Sequence, residues 1–189
     1  MPESVFETFW APLGIDKYEA QDTLDRFIAL SLGRRDDKGR ISLHDLQSDY
    51  VRKKTGESNL PALHERLLEA YRQACPDGRH TGPNDGYFLQ AICRHLSRAL
   101  HNAEMLALLT ASSQWMDVKH RTLHSDESFA ADLDYASGLL AVSQQGRCLI
   151  DLVQLYTAKQ VVFQRACQWN EDLGVLVRLG RIGEAIGQA

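Results

Sequence analysis

The tightest constraint on this chain is a change of period. From Ile41 to Leu43 apolar and polar residues alternate as on a half-buried strand, whereas Leu43, Leu46, Tyr50 and Val51 recur at the spacing of one helix face. A strand therefore hands over to a helix at His44-Asp45. Asp45, in the first turn, suits the positive end of that helix. A helix N-terminus also holds phosphate anions readily, through free N–H groups and the local dipole. An imidazole placed there can donate to a phosphate oxygen and let go when the ligand or the domain moves. On these residues alone, a histidine that merely caps the junction is the plainer reading.

Before the junction, Glu3 to Trp10 reads as a short helix with Val5, Phe6, Phe9 and Trp10 on its apolar side, ended by Ala11-Pro12-Leu13-Gly14. Asp16 is placed to cap the next helix, with Glu19 in capping-box position. Ala20, Leu24, Phe27, Ile28 and Ser31 then fall along one face. Asp36-Asp37-Lys38-Gly39 has the composition of a tight hairpin turn. Helix, helix and hairpin together predict a partial winged helix, as though the chain enters that domain partway. The polar run Lys53 to Asn59 marks a boundary, giving a winged-helix domain over 1–58 and a helical domain over 59–189.

Beyond it the chain reads as nearly all helix. Leu60, Leu63, Leu67, Leu68 and Tyr71 repeat at helical spacing behind Pro61, and Cys75-Pro76-Asp77-Gly78 stops them. The irregular stretch from His80 to Gly86 reads as a connector. Tyr87 to Leu100 is amphipathic through Phe88, Ile92, Leu96 and Leu100, and Asn102 opens the next helix, joined so closely that the two should lie antiparallel. Gln114 to Lys119 carries Trp115, expected as a core anchor. Asp126 to Val142 follows, through Phe129, Leu133, Tyr135, Leu139 and Leu140. Cys148 to Trp169 is a long helix through Leu149, Leu152, Val153, Tyr156, Val161 and Phe163. Leu176 to Ala189 has a Leu-Gly-Arg-x-x-Glu-Ala cadence that suggests helical repeats to follow. The expected fold class is mainly α: a partial winged helix followed by a solenoid-like bundle of antiparallel helices.

This succession resembles the end of the nucleotide-binding module of the NB-ARC/STAND signalling ATPases, the group that includes apoptotic protease activating factor. In that family a winged-helix domain carries an (M/L)-H-D motif, which Leu43-His44-Asp45 matches. A larger helical domain follows, whose opening resembles Leu63 to Tyr71 and whose short tryptophan-bearing helix resembles Gln114 to Lys119. The resemblance runs from about Glu3 to about Tyr135, and the chain departs from the family pattern after that. It implies a non-catalytic regulatory region in which the winged helix folds over bound ADP. His44 would contact the β-phosphate, Asp45 would support the junction, and Leu43 would pack. Exchange for ATP with Mg, together with a ligand on a C-terminal sensor or repeat domain, would release the winged helix and allow self-association. The implied partners are the nucleotide-binding domain and the sensor of the same chain. No cofactor is expected within the 189 residues themselves.

Other chemistry is poorly represented. There is no G-x-x-x-x-G-K-[ST], no G-x-S-x-G and no H-E-x-x-H, so an enzyme is not expected. Cys93 and His95 lie two apart on a helix, where side chains diverge. His95, His101, His120 and His124 read as surface histidines, and Asp45 and Asp49 as solvated helix charges. With 44% hydrophobic and 24% charged residues the composition is that of a soluble globular protein. No run approaches the roughly 18–20 apolar residues of a membrane span. Four scattered cysteines without a C-x-x-C pair read as reduced and mostly buried, in a cytoplasmic protein. A net charge of -4 and an acidic recognition-helix candidate (Glu19, Asp22 and Asp25 against Lys17 and Arg26) disfavour nucleic acid. Two alternatives stand beside the switch: a free-standing helical adaptor, and a winged-helix DNA-binding regulator.

Overall fold

The computed structural model describes residues 1–142 and 148–178, apart from the side chains of 148 and 166–178. The chain is mainly α, with one two-stranded antiparallel sheet among the described residues. Helices α1 (Glu3–Trp10) and α2 (Lys17–Ala29) come first, then strands β1 (Gly33–Arg35) and β2 (Ile41–Leu43) and helix α3 (Asp45–Thr55). The remainder is α4 (Leu60–Arg72), α5 (Phe88–Arg98), α6 (Asn102–Thr110), α7 (Gln114–Leu123), α8 (Glu127–Val142) and α9 (Cys148–Arg178).

The local signals act where the residues put them. Asp16 accepts from the N–H groups of Tyr18 and Glu19 while Glu19 reaches back to the Asp16 N–H, a complete capping box. The hairpin pairs Gly33 with Leu43 and Arg35 with Ile41. Its turn is organised by Asp36, which accepts from the Lys38 and Arg40 N–H groups and from the Arg40 guanidinium, with Gly39 at φ 71°. The hairpin is held to the rest on two sides. Met1 and Ile41 exchange backbone hydrogen bonds at 2.7 Å, and Arg35 pairs with Glu3 of α1 and Asp25 of α2, each at 2.6 Å.

Two helices end differently from expectation. Ser31 and Leu100, both placed on helix faces by spacing, adopt left-handed φ of 56° and 67°. Each closes a Schellman-type end: Leu32 and His101 donate back to Phe27 O and Leu96 O, and Ser31 and Leu100 donate to Ile28 O and Ser97 O. Leu100 therefore leaves the apolar face of α5 and is 75% exposed.

One core runs from α1 to α9. Val5, Leu67, Leu68, Tyr71, Phe88, Ile92, Leu96, Trp115, Phe129, Leu133 and Leu155 all belong to it. Trp115 is completely buried, the anchor the sequence suggested. Because Val5 belongs to this core and the Arg66 guanidinium lies over the Phe9 ring, α1 is joined to α4 across the polar run Lys53 to Asn59. Asp85 ties down the long connector by accepting from the N–H groups of Tyr87 and Phe88 and from the Tyr71 hydroxyl. Helix α9 meets the body through Leu155, Ala158 and Val162, whereas Leu149, Val153, Tyr156, Val161 and Phe163, among the apolar residues that marked the helix in the sequence, are exposed. Apolar residues surround that helix on every side, so spacing could not choose which face turns inward. Most of the repeat-like stretch 176–189 lies outside the described residues. No described helix is long and apolar enough to cross a membrane.

Candidate functional site

His44 stands where the change of period put it: between β2 and α3, as N-cap of α3 with extended backbone at φ -66° and ψ 151°. Its ring is exposed and caps nothing, and Asp45 stands exposed in the first turn beside it. No side chain satisfies the N–H groups of that turn, so they are free to meet groups from outside the chain. Helix α3 buries none of its residues. Leu46 is 83% exposed, and Leu43, Tyr50 and Val51 are also open. The amphipathic pattern of α3 is real, but its apolar face meets no core within the described residues. At its inner edge the Gln47 Oε1 atom is covered yet has no hydrogen-bond partner, a situation that costs about 1–3 kcal/mol where it persists. The junction thus offers an imidazole, free N–H donors and an apolar apron on one exposed side. Asp49 is likewise exposed, as a solvated helix charge.

The structure also brings together residues the sequence left apart. His95 is not a surface histidine. Its Nδ1 lies 2.8 Å from Nδ1 of His64 on α4, and its Nε2 lies 2.7 Å from the Tyr87 hydroxyl. Burial, then His64 and Arg98, push the His95 pKa down to about 4, and burial with Arg98 lowers that of His64. Two neutral imidazoles this close place one proton between their Nδ1 atoms, and the direction of that bond sets whether Tyr87 donates to His95 Nε2 or accepts from it. The contact joins α4 to α5. Cys93 indeed diverges from His95, facing the other side of α5 toward Asp132 and Trp115.

That second side holds a buried ion pair. Lys119 of α7, wholly inaccessible, donates to Asp132 of α8 and to the Ser128 carbonyl, with its ammonium 5.5 Å from the Trp115 ring centre. Burial raises the Asp132 pKa against the opposing pull of Lys119, and burial raises the Cys93 thiol well above its ordinary range. The Trp115 indole nitrogen is sealed in without a full hydrogen bond, though close enough to favour the ionised Asp132. Asp132 also forms part of the floor of an open cleft of about 570 Å³ lined by Tyr87, Arg94, Ser125 and Glu127. Two further histidines pair with carboxylates, His101 with Glu65 at 2.8 Å and His120 with Asp126 at 3.0 Å, while His124 is exposed. Among the described residues no three His, Cys, Asp or Glu side chains are arranged to hold a metal. The buried Cys75 and Cys93 are free thiols.

Both missed clusters had a faint signal. His64 falls one turn before Leu67 and Leu68 on the apolar arc of α4, and Lys119 falls one turn after Trp115. No family model matches the sequence, and neither a curated protein nor a solved structure matches it.

Proposed function

We propose that this chain is a non-catalytic regulatory region of a STAND/NB-ARC-type signalling ATPase of the cytoplasm. It couples nucleotide state and C-terminal sensing to autoinhibition and oligomerisation. In this reading α1 to α3 with the hairpin form a partial winged helix, and α4 to α9 form the solenoid-like regulatory arm. The observation that carries it is the combination at α3. An exposed His44 heads a helix whose first turn is uncapped and whose apolar face is uncovered. A nucleotide-binding module seated on Leu43, Leu46 and Tyr50 would bring a diphosphate to His44 and to the free N–H groups. The hairpin that carries His44 is pinned by Arg35, while α3 itself is lightly held, so the junction suits an element with two positions. ADP, with Mg, favours one position, and ATP exchange the other.

The test uses the intact ATPase. His44→Ala should speed ADP release about tenfold, the loss of one charge-assisted hydrogen bond of about 1.4 kcal/mol, and should raise the oligomeric fraction. An unchanged ADP off-rate together with unchanged oligomer size would remove His44 from the proposed role. Calorimetry on the 189-residue chain alone should show no tight ADP binding.

A further inference from the structure

We infer that α9 is a self-association surface: it pairs with α9 of a second copy of this chain. Apolar residues lie all round α9, and two groups of them matter here. Leu155, Ala158 and Val162 turn toward α6 and α8. At 100° per residue, Leu149, Val153, Tyr156, Gln160 and Phe163 fall on roughly the opposite side. Their intervals are four, three, four and three, the seam of a two-stranded helical pair rather than a globular helix face. Leu149, Val153, Tyr156 and Phe163, with the neighbouring Ile150, are 57–72% exposed. At on the order of 100–150 Å² each they offer roughly 600 Å² of apolar surface, close to the ~800 Å² that each partner contributes to a stable interface.

Charge and shape point to a like partner. The seam carries no charged residue, so a copy of itself meets no repulsion there. Lys159, beside it, is held by Asp134 of its own chain at 2.5 Å. Gln160 is the single polar residue on the seam, the kind of position that sets register in paired helices. Val153 of the seam and the neighbouring Val161 line an apolar groove of about 290 Å³ reaching Met116 and Phe129, which gives the partner's side chains a recess. The pairing is isologous, the same surface on both copies. It uses no residue of α3, so it stands apart from the nucleotide reading.

Sedimentation and light scattering on the 189-residue chain test this. The chain should pass from monomer to dimer within the micromolar range, below about 200 µM. Tyr156→Lys and Phe163→Lys, made separately at exposed positions and checked for intact helicity, should each weaken the dimer about tenfold or more. Leu46→Lys, on the exposed face of α3, should leave it unchanged. A chain that stays monomeric to about 200 µM overturns the inference, as does a dimer indifferent to both α9 variants. A dimer abolished by Leu46→Lys moves the interface to α3 and overturns it too.

Discussion

Lys119→Met should be among the costliest single substitutions in this chain. Exposed ion pairs are worth about 0–1 kcal/mol because water takes over either partner when the other is lost. Here the Lys119 side chain has 0% and the Asp132 side chain 7% exposure, so no water replaces the ammonium. Stranding a buried carboxylate costs about 3–5 kcal/mol, a figure that also has to cover the lost donor to Ser128 O and the lost cation beside Trp115. At roughly 2–4 °C per kcal/mol for a chain of this size, the melting temperature should fall by about 6–20 °C. The sign of the pH effect follows from Asp132. Burial already raises its pKa despite Lys119, and removing Lys119 removes the chief opposing influence. A carboxyl whose folded pKa exceeds its unfolded one binds more protons when folded, so the folded state gains as pH falls. The cost of Lys119→Met should therefore shrink as pH is lowered from 7 toward the ordinary Asp range near 4. The pair Lys119→Met with Asp132→Leu should recover most of the loss, since no lone charge remains. Urea and thermal unfolding at pH 7 and pH 5 measure all three. A cost below about 1 kcal/mol at pH 7, a cost that does not shrink at pH 5, or a double variant no better than the single one would refute the reasoning.

His95, with its pKa pushed from 6.5 down to about 4, is protonated later in the folded chain than in the unfolded one. Its contribution is present above pH 6.5 and is lost as pH falls toward 4, by about 3 kcal/mol. His95→Gln should flatten that part of the stability–pH curve, and an unaltered slope would contradict it. Gly82→Ala should destabilise by about 1–3 kcal/mol, because a Cβ there would sit 2.2 Å from the buried Phe88 ring; a melting curve identical to wild type would show that the connector moves aside. Leu100→Gly should stabilise by about 1 kcal/mol, since Leu100 is exposed and held at φ 67°; a lower melting temperature would show that Leu100 contributes more than strain. His44→Ala and Leu46→Lys should each change the stability of this chain by less than about 0.5 kcal/mol in denaturant titration, because neither side chain is covered. A larger loss would mean that α3 is held by more than the contacts seen.

Elements with a local chemical signature were readable in advance. The Asp16–Glu19 box, the Asp36–Gly39 turn and the strand-to-helix handover at His44 each depend on residues a few positions apart, and each stands as the spacing requires. What was not readable depends on which face meets which. Leu100 fits the period of α5, yet the chain turns left-handed there because the Schellman bonds to Leu96 and Ser97 close the helix first. Helix α9 is apolar all round, and only its contact with α6 and α8 selects Leu155, Ala158 and Val162. His95 and His64 are 31 residues apart and Lys119 and Asp132 are 13 apart, separations at which a polar residue on an apolar arc signals burial without naming its partner.

The distribution of these features bears on how the chain would work. From α4 to α8 the helices are joined by a common core and by polar contacts, the part-buried Tyr87–His95–His64 on one side of α5 and the buried Lys119–Asp132 on the other. Buried networks of this kind fix one arrangement, because a shifted helix would strand a polar group in a dry interior. Among the described residues α3 and the outer face of α9 each expose a run of apolar side chains instead. A body that resists internal rearrangement can transmit a displacement from one end only by moving as a unit. A contact formed on α3 and a contact formed on α9 then have no two-state element between them, so each should form independently of the other.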